Sequence, residues 1–145
     1  MSRPAPESPR LAEFERECRH RGLAVTIQRR AVFAELSGRR DHPTADQVYD
    51  ALRARLPGLS RTTVYRVLET LVEAGFARKV HHADAVVRFD PVVERHHHLV
   101  CEACGRLVDL DDAAVPRVAL PDTRRSGFRI RDYSVSFTGL CPKCR

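Results

Sequence analysis

The sequence predicts an α+β chain in two parts, an N-terminal winged helix-turn-helix domain followed by a small zinc-stapled α/β dimerisation domain. Three observations carry that expectation. Helical periodicity with clear caps fills the chain as far as Gly75, and short strand-like runs fill most of the remainder. Two Cys-x-x-Cys pairs, Cys101-Glu-Ala-Cys104 and Cys141-Pro-Lys-Cys144, lie 36 residues apart.

The first ten residues hold three prolines and read as a disordered arm. A polar helix follows from Leu11 to Arg21, with Leu11, Phe14 and Cys18 on one stripe and Gly22 as its stop. Cys18, the odd cysteine, reads as a small packing residue rather than a reactive thiol. Thr26 caps a second helix to about Ser37, with Ala31, Val32 and Leu36 inward. Thr44-Ala-Asp-Gln47 has capping-box spacing and opens a third helix carrying Val48, Ala51, Leu52 and Leu56, which Pro57-Gly58 breaks. Ser60 caps a fourth, Arg61 to Ala74, with Gly75 placed for a left-handed turn.

In that fourth helix Val64, Val67, Leu68, Leu71 and Val72 repeat at helical spacing and make one buried face. The other face opens with Arg61, Thr62, Tyr65 and Arg66, and residues 51–68 hold four arginines and no acid. Two helices joined by a tight Pro-Gly turn, the second starting with hydroxyl and guanidinium groups, suit a major-groove reader. Taken alone, such a helix is more often an amphipathic helix with a solvated charged face. The next residues change the balance. Phe76–Val80 and Ala85–Phe89 read as strands around His81-His82-Ala83-Asp84, a hairpin wing on which Arg78, Lys79 and Arg88 can straddle a phosphate backbone.

In the second part, His98–Cys101 and Arg106–Leu110 read as strands flanking the first cysteine turn. Pro116 and Pro121 limit any helix within 111–126 to a turn or two, and Phe128 to Leu140 reads as one long strand carrying Ile130, Tyr133, Val135 and Phe137. So small a sheet needs a partner, so a homodimer is expected, presenting two wings to a two-fold operator. The cysteine pairs supply four thiolates from two tight turns, which is what tetrahedral zinc requires, with Gly105 where the turn needs an open backbone. A single redox pair would not explain the duplication, and disulfides suit secreted chains. No apolar run serves as a signal peptide or membrane span, and the expected location is the cytoplasm. The net charge of +6 fits an anionic partner, although the basic residues are spread along the chain.

Several segments together resemble the ferric uptake regulator (Fur) family. They are Thr26-Ile-Gln-Arg29, His42-Pro-Thr-Ala-Asp46 with Val48-Tyr49, Thr62-Thr-Val-Tyr-Arg-Val-Leu68, Arg88-Phe-Asp90, His96-His-His-Leu-Val-Cys-Glu-Ala-Cys-Gly105 and Gly139-Leu-Cys-Pro-Lys-Cys144. The match runs in order from about Leu11 to Cys144. It implies a winged-helix domain over 1–88, a hinge over 89–95 and a dimerisation and metal-binding domain over 96–145. Metal occupancy would then decide binding to a pseudo-palindromic double-stranded DNA operator. The resemblance assigns structural zinc to Cys101, Cys104, Cys141 and Cys144, and DNA contact to Gln28, Arg29, Arg61, Thr62, Thr63, Tyr65 and Arg66. It assigns a regulatory metal to His42, Asp90, His96, His98 and Asp109. Three imidazoles and two carboxylates suit Fe2+ or Mn2+ and tolerate Zn2+. Strand alternation puts His96 and His98 on one face and His97 on the other.

Aspartate at 90 and 109 is typical of the peroxide-sensing branch (PerR-like), in which bound Fe2+ reduces peroxide to an oxidant that modifies a ligand at the positions of His42 or His96. Iron sensors more often carry glutamate there, and zinc sensors often carry a cysteine in the stretch 76–100, which has none here. An accessory metal site of some iron sensors is missing its ligands, since Arg95, Pro116 and Tyr133 stand at those places. Ile27 stands for a frequent proline and Ala24 for a frequent arginine, while Pro116 and Pro121 shorten a usual helix. The expected function is therefore a metal-dependent, peroxide-responsive transcriptional repressor without enzymatic turnover, with an iron- or zinc-responsive uptake repressor as the alternative. A metallohydrolase would not need the reader helix. A zinc-ribbon adaptor would show no metal-dependent DNA affinity.

Overall fold

The structure, a computed structural model, describes residues 9–82 and 84–145. Most of the expected N-terminal arm and Ala83 of the hairpin turn lie outside the described residues. The chain divides into two units, Met1–Val93 and Glu94–Arg145.

The first unit holds α1 (Pro9–His20), α2 (Ile27–Ser37), α3 (Ala45–Leu52) and α4 (Arg61–Glu73), then the wing strands β1 (Arg78–His81) and β2 (Val87–Asp90). Three helices start on a side chain that meets their orphan N–H groups. Thr26 accepts from the Arg29 N–H at 3.1 Å, and Ser60 from the Thr63 N–H at 3.1 Å. Thr44 and Gln47 cap each other reciprocally at 3.2 and 2.9 Å. The end of α4 is a Schellman turn: Phe76 N–H bonds Leu71 C=O at 2.8 Å and Gly75 N–H bonds Val72 C=O at 3.1 Å. Gly75 sits at φ +79°, a conformation that a Cβ would strain.

Apolar stripes from all four helices meet in one core. Phe14 stacks on Phe33 at 4.3 Å between ring centroids, and both meet the Phe76 ring edge-on at 5.2 and 5.6 Å. Val64, Val67, Leu68 and Leu71 form the buried face of α4 as expected. Ala51 does not point inward; it is exposed, because α3 ends at Leu52 and packs along the line Ala45, Val48, Leu52. The wing strands pair antiparallel from Arg78↔Asp90 to His81↔Val87. They begin about two residues later than the sequence suggests, since Phe76 and Ala77 are taken by the core. Two links tie β2 to the α2–α3 connection: Phe89 N–H donates to Pro43 C=O at 2.9 Å, and Thr44 bridges Arg88.

The second unit is a three-stranded sheet of β3 (His96–Cys101), β4 (Leu107–Asp111) and β5 (Ser136–Gly139), in the order β4-β3-β5. β3 runs antiparallel to β4 and parallel to β5. Its described helical content is a single 3-10 turn, Asp112–Ala114. The expected long strand from Phe128 is corrected to four residues. Just upstream of Ser136 the Val135 C=O still accepts from the His98 N–H at 3.0 Å, and side chains add to the hold, Arg95 on Asp132 and His97 on the Val135 N–H. Among the described residues no helix is long and apolar enough to cross a membrane.

Candidate metal centres and nucleic-acid face

Two tight turns present the four cysteines. Gly105 N–H bonds Cys101 C=O at 2.8 Å with Gly105 at φ +72°, and Cys144 N–H bonds Cys141 C=O at 2.9 Å. The four sulfurs lie within 4.8 Å of one another. Cys104 and Cys141 Sγ stand 3.8 Å apart, and all four cysteines are free of disulfides. Four sulfurs at about 2.3 Å from a tetrahedral zinc are about 3.8 Å from each other, so this cluster fits zinc. Its electrostatics favour a thiolate. The Cys141 N–H points at Cys101 Sγ at 3.4 Å and, with the N–H groups of Cys104 and Ala103, holds Cys101 down at about 6. Cys144, hydrogen-bonded to Cys141 and Cys104, is pushed up to about 12, since neighbouring sulfurs cannot all ionise without a cation.

On β3 the alternation separates three consecutive histidines. His98 lies directly opposite Asp109 on β4, and His96 lies one rung away on the same face. One Asp109 oxygen therefore faces both rings, 3.5 Å from His96 Nε2 and 3.7 Å from His98 Nε2. These distances are long for hydrogen bonds. They lie a few tenths of an ångström above the roughly 3.0–3.4 Å that separates ligands each about 2.1 Å from one metal, so a small inward shift would bring the three donors to one cation. His96 Nδ1 is 2.9 Å from Glu94 C=O, which makes Nδ1 the protonated nitrogen and leaves the Nε2 lone pair for a metal. His97 faces the other way. Its Nδ1 accepts from the Val135 N–H at 3.0 Å, and its Nε2 meets Asp112 at 3.0 Å, so both nitrogens are used structurally.

In the first unit, His42 Nε2 lies 3.3 Å from Asp90 Oδ2, and both side chains are buried. The Val92 N–H donates to Asp90 Oδ1 at 2.8 Å and aims the carboxylate. The neighbouring Asp41 is already taken by the Arg39 fork at 2.8 and 2.6 Å, which lowers its carboxyl below the usual range. His42 itself has φ +51°, an uncommon conformation for a residue with a Cβ. The Pro43 and Thr44 links to β2 over-determine the backbone there, which is where strain is expected to mark function.

The exposed face of α4 carries Arg61, Thr62, Tyr65 and Arg66. Arg61 is engaged, paired with Asp46 and lying 4.7 Å over the Tyr49 ring. Thr63 is half-buried, with its hydroxyl 2.9 Å from the Ser60 hydroxyl. Arg29 donates to the Ala24 carbonyl, and Gln28 is partly exposed beside it. On the wing, Lys79 pairs with Glu69 at 2.8 Å and Arg88 with Asp84 at 3.1 Å. Thr62, Tyr65 and Arg66 are thus the side chains of this set that project outward from the helix. Sequence reasoning missed the pairing of Arg61 with Asp46 and Tyr49. It also missed what Arg95 and Tyr133 do, since both pairings depend on folding rather than local spacing.

Known proteins match this chain over most of its length. The family model described as the ferric uptake regulator family matches residues 20–138. The chain is 33% identical over 134 residues to the peroxide operon regulator of Bacillus subtilis, covering 92% of each chain. It is 35% identical over 137 residues to the transcriptional regulator FurA of Mycobacterium bovis, covering 92% of this chain and 91% of that one. A zinc uptake regulator solved in complex with zinc and DNA superposes with a TM-score of 0.65 at 25% identity, covering 92% and 91% of the two chains.

Proposed function

The chain belongs to the ferric uptake regulator family, and from that premise we propose that it is a metal-dependent, DNA-binding transcriptional repressor released from its operator by peroxide. The observation that carries this reading is a pair of incomplete donor sets. His42 with Asp90 offers two ligands, and His96, His98 and Asp109 offer three. By resemblance to the family, all five are ligands of one regulatory metal. Metal binding would then lower the energy of the DNA-competent form. Moving an equilibrium from mostly inactive to mostly active requires a differential of about 5 kcal/mol, within reach of several coordination bonds.

The chain's own residues prepare that site. Glu94 C=O sets the His96 tautomer, Val92 N–H aims Asp90, and the Pro43 and Thr44 links carry any shift at His42 to β2 of the wing. Reader contacts come from Thr62, Tyr65 and Arg66, with Gln28, Arg29, Arg61 and Thr63 shaping the same surface. Fe2+, when bound, supplies one-electron chemistry toward peroxide, and His42 or His96 is the residue that gains oxygen. The aspartates at 90 and 109 favour the peroxide reading over simple iron or zinc response, as does the peroxide operon regulator among the relatives. The only chemistry is on the protein itself, so this is a sensor rather than an enzyme, and it works in the cytoplasm. A homodimer fits the back of the sheet, where Leu99, Val108 and Phe137 share one rung and are 44%, 38% and 45% exposed.

Operator binding tests the proposal with Fe2+ and with Mn2+, each with and without micromolar peroxide. Peroxide should abolish binding of the Fe2+ form and add oxygen mass to a peptide holding His42 or His96, while the Mn2+ form keeps its operator. Retained binding of the Fe2+ form after peroxide would instead establish a plain iron- or zinc-responsive repressor.

A further inference from the structure

The face of β3 opposite the candidate metal ligands carries a cluster that the proposed function does not use. The Arg95 guanidinium lies 4.6 Å from the Tyr133 ring centroid, and its Nε donates to Asp132 at 2.8 Å. The His97 ring stacks loosely on the same phenol, 5.9 Å between centroids and 23° between planes. His97 is 1% exposed and its nitrogens are held by the Val135 N–H and by Asp112. Tyr133 N–H closes the group on Asp132 at 2.9 Å. These contacts join three places at the margins of the sheet: the residue before β3, Asp112 just after β4, and the segment leading into β5.

We propose that this guanidinium–phenol–imidazole cluster is the device that aims His96 and His98, making Tyr133, His97 and Arg95 positioning residues of the regulatory metal site. The proposal rests on the metal reading of His96, His98 and Asp109. The argument is mechanical. His96 and His98 flank His97 on one strand, so any rotation of the strand at His97 swings both imidazoles together. A packed, hydrogen-bonded His97 allows one rotation only, because both its nitrogens and its ring face have fixed partners. Asp112 lies three residues after Asp109, so the same imidazole also fixes the end of the strand that supplies the shared carboxylate. Cation–π and aromatic contacts depend on ring planes, which gives the cluster directionality that aliphatic packing lacks.

The test uses the full-length, zinc-loaded protein, with Mn2+ as probe and a fluorescent chelator as competitor. Tyr133→Leu keeps apolar volume and removes the ring face. It should weaken Mn2+ binding by about 10–100-fold, the range for residues that orient ligands, while zinc stays at one per chain. Tyr133→Phe keeps the ring and should stay within about twofold of the unaltered protein. Unaltered Mn2+ affinity in Tyr133→Leu, or equal loss in Tyr133→Phe, overturns the positioning role. If Tyr133→Leu loses zinc or aggregates, Arg95→Gln decides, since that side chain is 40% exposed and its loss should not unfold the sheet. Weaker Mn2+ binding at constant zinc content supports the proposal, and unaltered binding overturns it. His98→Ala is the control on the underlying reading. Normal Mn2+ affinity in that variant sinks the metal site itself, and the positioning role falls with it.

Discussion

Cys101 and Cys18 show how one residue type takes opposite roles. Burial pushes the Cys18 thiol up, and it packs in the helical core as an inert apolar group. Cys101 faces three backbone N–H groups and is held at about 6, far below the ordinary value of 9.0. A depressed acid stabilises the folded form at pH above its unfolded value, and this contribution is lost as pH falls through the folded value. Cys144, raised to about 12, works in the opposite direction and favours the protonated thiol until zinc displaces the proton. Zinc lowers thiol values further, so release on acidification should have its midpoint below about pH 6. Zinc measured with a chromophoric chelator across pH checks this, and loss of the metal above pH 7 would contradict the assignment of Cys101.

At the scale of elements, α4 separates stability from recognition along its length. Ser60 and Gly75 set its ends, Val64, Val67, Leu68 and Leu71 seat it, and Tyr65 and Arg66 project outward. Ser60→Ala removes the acceptor of the Thr63 N–H and should cost about 1 kcal/mol of stability, read as a lower Tm. Tyr65→Ala or Arg66→Ala should leave Tm, zinc content and Mn2+ affinity unaltered while costing about 1–3 kcal/mol in operator binding. Operator affinity unchanged in both variants would show that α4 is not the reader. These features are visible in the sequence because caps, helical stripes and strand alternation depend on neighbours within a few residues. The three caps, Gly75 and the opposed faces of His96 and His97 are of that kind. Partnerships across distance are not. The grip of Asp46 and Tyr49 on Arg61, and of Arg95 on Tyr133, carry no local signal. The segment 128–135 has strand-like composition, yet the regular strand begins only at Ser136; Val135 C=O accepts from the His98 N–H, while Asp132 and the Val135 N–H are held by Arg95 and His97.

At the scale of the whole molecule, stability is unevenly divided. Among the described residues the core cluster of buried apolar side chains, Phe14 through Phe89, lies in the first unit. The second unit adds only Cys101 and Leu107 to the buried apolar set, and its other well-buried side chains are His96, His97 and His98. A unit of roughly 50 residues with so thin an apolar core does not fold on burial alone and needs a metal or a partner. Zinc binding worth about 10–16 kcal/mol is then folding energy for the second unit, whereas the first has its own core. Cys101→Ser, or zinc stripping under denaturing chelation, should therefore unfold the second unit and abolish dimerisation while the helical unit survives. Calorimetry should show the helical transition near its original temperature and the second transition gone. Far-UV circular dichroism should keep most of its helical signal, and sedimentation should show monomer or aggregate. A folded, dimeric Cys101→Ser protein without zinc would mean that the four sulfurs are not what holds the second unit together.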